Sequence, residues 1–136
     1  MNPQTPSIRR LAGSLFYEFL VVFSVLMVGF WIPQTIIAGA GVSVHGRLLI
    51  VHVMLLLMCY FVWFWTNGGQ TLPMKTWRLR LVSADGYRLR PAQALLRYLA
   101  AWPSTVLIIG LLWALVDRDR RFLHDRIAGT RIVAID

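Results

Sequence analysis

"VDRDRRFLHDRIAGTRIV", residues 116–133, follows an apolar run and places four arginines, three aspartates and a histidine within its first eleven positions. Such a block at the end of a hydrophobic segment reads first as an anchor at a membrane surface. Its charge also bears on topology. With Arg131 it holds five arginines after Val116, and short loops rich in Lys and Arg favour the cytoplasmic side. The number of membrane crossings upstream must agree with that preference.

Working back from this block, the chain is 57% hydrophobic with a mean hydropathy of +0.61, too apolar for a soluble domain. Residues 11–32 are interrupted by Glu18, and residues 48–66 by His52. Both runs approach the roughly 20 apolar residues that cross a bilayer core about 30 Å thick. They predict two transmembrane helices in an antiparallel hairpin. Pro33 is expected to end or kink the first, and 34–46 to form a short turn. Trp31, Tyr60, Trp63 and Trp65 fall where interfacial aromatic rings belong. Cys59 lies alone inside an apolar run and reads as a small hydrophobe.

Residues 1–7 contain two prolines and are expected to form a mobile tail. Arg9 and Arg10 precede an apolar core longer than the roughly 7–15 residues of a secretory signal. The first span is therefore expected to be retained, in a single domain over 1–136.

From Thr76 the sequence alternates, with Trp77, Leu79 and Leu81 on one side and Arg78 and Arg80 on the other. Period 2 predicts a strand. Asp85-Gly86 is a hairpin-turn dipeptide, and "YRLR" alternates again, so a small β-hairpin at the cytoplasmic surface is expected. "TRIVAI", 130–135, could add a strand to it. Pro91 suits the first turn of a new helix.

Residues 92–116 form a third apolar helical segment with Pro103 inside it. Two arginines stand at the N-terminus, five plus Lys75 lie within 67–97, and Arg47 alone lies in the intervening turn. The N-terminus and central loop therefore read as cytoplasmic. A simple third span would put the five-arginine tail outside. A break at Pro103, with the segment entering and leaving on one side, keeps the tail inside. Three spans with the tail outside is the competing arrangement.

The net charge is +8. With arginines flanking apolar runs, it predicts contact with anionic lipid headgroups, through residues such as Lys75, Arg78 and Arg80, rather than with nucleic acid. No nucleophile–base pair appears, and three scattered histidines make no metal site, so neither an enzyme nor a cofactor is expected.

Glu18 is the most informative residue. A carboxylate in a membrane helix is costly unless paired, neutralised or wetted, and is a functional candidate by default. It lies about 10 Å along the helix from Leu11, at the depth of Cys59 or Tyr60 on an antiparallel neighbour. Tyr60 could donate a hydrogen bond to it. Arg10 is about 12 Å away along the axis and some 80° around it, too far for a direct ion pair.

The opening stretch predicts a helix ending at Gly129, a plausible C-cap. Asp117, Arg121 and Asp125 then share one face as i, i+4 pairs. Asp125 would sit in the last turn, where an anion is disfavoured, so a cation partner is expected: Arg121, Arg126 or Arg10. A lock between Arg10 and Asp125 would tie the first helix to the C-terminal segment.

The motifs "RRLAGSLFYE" (9–18), "GQTLPMKTWRLRLVSADG" (69–86), "LLRYLAAW" (95–102) and "DRDRRFLHDRIAGTRIV" (117–133) together resemble the RDD family of small bacterial membrane proteins. That resemblance maps the family arginine onto Arg10, with Arg9 as the alternative. It maps the two acidic positions onto Glu18 and Asp125. Glu replaces Asp at 18, and Pro73 stands where glycine is usual. The resemblance implies a bacterial inner-membrane protein for which transport of small ligands or ions has been proposed.

The expectation is an all-α membrane protein with a small β-element. Its leading function is transport of a small ion or solute, with Glu18 handling a proton or cation. A non-transporting assembly or lipid-binding module is the alternative. Two or three helices are few to enclose a path, so a homo-oligomer is also expected.

Overall fold

A computed structural model of the chain describes residues 4–135. The first apolar run forms α1 (Ile8–Leu26), a π-helical turn (Met27–Trp31) and α2 (Ile32–Gly39) in direct succession. The second forms α3 (Gly46–Thr66). Both continuous helices, Ile8–Gly39 and Gly46–Thr66, are long and apolar enough to cross a membrane. Ser7 caps the first, its Oγ accepting from Arg10 N–H at 3.3 Å.

Pro33 does not end the first helix. It falls in the first turn of α2, directly after the π turn. A proline removes one backbone donor and crowds the preceding turn, and a π-bulge is a recognised way for a helix to take up such a disruption. The turn expected over 34–46 is therefore helical as far as Gly39. The two helices meet in opposite senses: Glu18 reaches Tyr60, while Gln34 reaches His52. Outward-facing Phe16, Phe19, Val28, Ile36, Ile50 and Trp63 are each more than half exposed, leaving apolar surface for an apolar surrounding.

After α3, Gly68 and Gly69 turn the chain with positive φ. A short helix α4 (Leu72–Thr76) follows, then β1 (Leu79–Ser83). The alternation read from Trp77 onward survives within the strand: Leu79, Leu81 and Ser83 are buried, and Arg80 is exposed. The expected hairpin with "YRLR" does not form. Asp85-Gly86 does turn the chain, with Ser83 N–H bonding Tyr87 O at 2.9 Å. Beyond the turn Leu89 sinks into the core, and Pro91 opens the next helix two residues later. That leaves no room for a return strand.

The partner of β1 is β2 (Thr130–Ala134), antiparallel, with Leu79 opposite Ala134, Leu81 opposite Ile132 and Ser83 opposite Thr130. Gln4 adds a bridge to Ala134. Pro6 is fully buried, and its carbonyl accepts from Arg120 at 2.9 Å. Residues 4–7 are thus held in place, and residues 1–3 of the expected mobile tail lie outside the described residues. The segment before α1, the central loop and the C-terminal segment all meet at one sheet.

The third apolar segment is broken, but not at Pro103. Helix α5 (Pro91–Val106) runs through that proline. The break comes at Leu107–Ile108, where Ile108 takes a φ of 62°, and α6 (Ile109–Val116) leaves at 99° to α5. At this corner a Cβ on Gly110 would overlap Ser104, so only glycine permits the approach. Tyr98 anchors α5 to α3 by donating to Met54 O at 2.6 Å.

The opening stretch is also less helical than its spacing predicts. Helix α7 covers only Leu123–Ala128, closed by Gly129 at φ 67° as the C-cap. Asp117 to Phe122 form a turn and an extended link. Asp117, Arg121 and Asp125 therefore do not share a helix face.

Candidate functional site

Glu18 lies half-buried on α1, with each carboxylate oxygen taken by a different hydroxyl. Tyr60 on α3 donates to Oε1 at 3.1 Å. Thr71, fully buried at the start of α4, donates to Oε2 at 2.5 Å. Thr71 is carried there by the "NGGQT" turn, whose Gly69 carbonyl accepts from Leu81 N–H at 2.7 Å. Gln70 secures the same turn by donating to Leu79 O at 2.6 Å. The glycine-rich segment thus splints β1 and aims one hydroxyl at Glu18.

Asp125 is fully buried and sits in the first turn of α7, not the last. There the helix dipole favours an anion. Its Oδ1 receives Arg97 Nε at 2.6 Å and Thr130 Oγ1–H at 3.3 Å. Its Oδ2 receives Phe122 N–H at 3.4 Å. The cation at Asp125 is therefore Arg97 of α5, which the spacing does not name, while Arg121 pairs with Asp119 and Arg126 with Asp117. The Arg97 guanidinium also lies 4.2 Å from the centre of the Trp65 ring, a cation–π contact that ties it to α3.

The remaining sequence candidates are spread around this pair. Asp117 accepts the Arg121 backbone N–H at 2.9 Å and Arg126 Nε at 2.7 Å. Burial pushes its carboxyl up, but these donors and the Arg126 charge outweigh burial and hold it below the usual aspartate value. The Arg121 side chain pairs with Asp119 at 3.1 Å. Arg10 is half-buried near the start of α1. His52 is met by Gln34 at 3.0 Å and by the Phe30 ring. Lys75, Arg78 and Arg80 are exposed around β1.

Three residues that matter here were not singled out from sequence. Arg97 was counted only as a positive loop charge, although it is a cation on an otherwise apolar helix, a pointer in its own right. Thr71 is 53 residues from Glu18, and no local pattern links them. His124 is buried, stacked on Phe122, with its Nδ1 3.1 Å from Ser104 Oγ at the α5–α6 corner. Burial first, then the Arg97 charge, push this imidazole down to about 4, with Asp125 opposing in part. It is neutral at pH 7.

Glu18, Thr71, Arg97 and His124 all line one half-open cavity of ≈ 430 Å³ between α1, α3, α5 and the sheet, with the exposed Phe19 at its rim. The rest of its wall is mainly apolar, with Phe19, Phe61, Trp65 and Trp102 prominent. One carboxylate and one guanidinium thus border a largely apolar cavity, the cation already neutralised by Asp125.

The family model of the RDD family matches residues 5–129. The chain belongs to the RDD family. An uncharacterized protein of Rickettsia prowazekii (strain Madrid E) is 31% identical over 88 residues, covering 64% of this chain and 50% of the relative. The chain spans about half the length of that relative. No solved structure matches it. Membership of the RDD family and two long apolar helices make this a membrane protein.

Proposed function

We propose that this RDD protein moves a small ion or solute across the bacterial inner membrane, with Glu18 as the group that takes up and releases a cation or proton. One observation carries the reading. Glu18 faces a half-open cavity and is held by two hydroxyls, while the nearby Arg97 is committed to Asp125. Hydroxyls can reorient to serve a carboxylate or a carboxylic acid, whereas a locked cation partner would fix the ionised form.

The N-terminal segment, central loop and tail share one sheet, which supports placing them on one face of the membrane. Their arginines favour the cytoplasm for that face. The 99° bend between α5 and α6 fits a segment that enters and leaves on that side. Exposed Lys75, Arg78, Arg80 and Arg88 then meet anionic headgroups, each contributing about 1 kcal/mol near such a surface. Two spans are few to enclose a path, so copies assemble to complete it.

A second reading, a lipid-binding module without transport, is favoured by the largely apolar cavity wall. Proteoliposomes with imposed ion and pH gradients separate the two. Transport gives flux in the wild type and its loss in Glu18→Gln. A lipid-binding module gives none in either.

A further inference from the structure

The charges around the cavity do not balance. Arg97 is matched by Asp125 at 2.6 Å, both with side chains under one-tenth exposed. His124 is buried against Ser104 and adds no charge. Among the described residues Glu18 has hydroxyl partners, one on each oxygen, and no ion pair. When ionised it gives the cavity one negative charge that no bonded cation offsets, so a cationic guest is the one that would favour that form. The wall around it includes several aromatic rings, whose faces attract cations through their quadrupoles. The chain already demonstrates this chemistry: the Arg97 guanidinium rests 4.2 Å from the Trp65 ring centre.

A hydrated inorganic ion is poorly served by an apolar cavity of ≈ 430 Å³, because a single carboxylate would not offset the loss of its water. A neutral lipid tail has no use for the carboxylate. We infer that the cavity binds a lipophilic organic monocation, an amine or quaternary ammonium whose charged end meets Glu18 and whose apolar body lies among Phe19, Phe61 and Trp102. This deepens the transport reading by naming a substrate class, and rests on that reading only in taking the cavity as the ligand site.

Binding can be measured apart from flux, using the full chain in detergent or nanodiscs and benzyltrimethylammonium as the probe. Its neutral isostere neopentylbenzene replaces the nitrogen by carbon and leaves the shape unchanged, while benzenesulfonate reverses the charge. Quenching of the cavity tryptophans should show the cation binding at least tenfold more tightly than either comparison compound. Glu18→Gln should remove that preference and leave weak binding of the neutral compound, which also reports that the cavity is still formed. If Glu18→Gln does not fold, the comparison of the three compounds on the wild-type chain decides alone. Equal binding of cation and isostere, or tighter binding of the sulfonate, overturns the inference. Selective binding without flux would defeat the transport reading and leave this one standing. Flux of inorganic cations without selective binding would do the reverse.

Discussion

Arg97 Nε lies 2.6 Å from Asp125 Oδ1, and their side chains are 7% and 1% exposed. This buried pair joins α5 to α7, and Thr130 at the start of β2 completes it. Two charges taken from water repay their desolvation only with close geometry and further hydrogen bonds. Asp125 has both, from Thr130 and the Phe122 N–H. Removing one partner strands the other, so Asp125→Leu or Arg97→Met alone should each cost about 3–5 kcal/mol. The double variant should cost clearly less than their sum in thermal unfolding in detergent. Strict additivity would show that the two side chains are not coupled.

His124 makes stability depend on acidity. Burial pushes its imidazole down to about 4 in the folded chain, from an ordinary histidine value of 6.5. A depressed histidine stabilises the fold fully above its unfolded value and loses that contribution as pH falls toward its folded one. Stability should therefore decline from about pH 6.5 to about pH 4, by on the order of 3 kcal/mol at most, read as a falling Tm. His124→Asn should flatten that window. An unchanged slope in the variant would assign the acid sensitivity elsewhere.

The corner between α5 and α6 depends on Gly110 lying against Ser104. Gly110→Ala should destabilise by about 1–3 kcal/mol through overpacking, read as a lower Tm. Ser104→Gly in the same chain should restore part of the loss. If Gly110→Ala is neutral, the corner is more open than described.

The shared sheet predicts topology. Reporters fused before Met1 and after Asp136 should both read cytoplasmic, because Gln4 bridges to β2 and β2 pairs with β1 of the central loop. A periplasmic reading at the C-terminus would favour three spans.

The two long helices were legible because hydropathy over some 20 residues is a strong, local signal. Their ends were not: Pro33 is absorbed by a π turn that no periodicity announces. The alternation at Leu79 and Leu81 identified a strand, but strand partners are chosen by distance in space. Ser83 pairs with Thr130, and Leu89 and Pro91 withdraw the nearer candidate. At Asp125 the need for a cation was readable from chemistry, although the premise was wrong, since α7 begins six residues later than Asp117 and reverses the dipole argument. Arg97 could supply that cation because α5 crosses both α3 and α7, a tertiary fact. Tyr60 was reachable from helix rise alone; Thr71 was not, since it arrives on a glycine turn.

Flux through purified protein in proteoliposomes, compared between wild type and Glu18→Gln, tests the account at its centre. The account predicts gradient-driven cation or proton movement in the wild type and at least a tenfold loss in a Glu18→Gln protein of matching Tm. Robust flux that survives Glu18→Gln would contradict it.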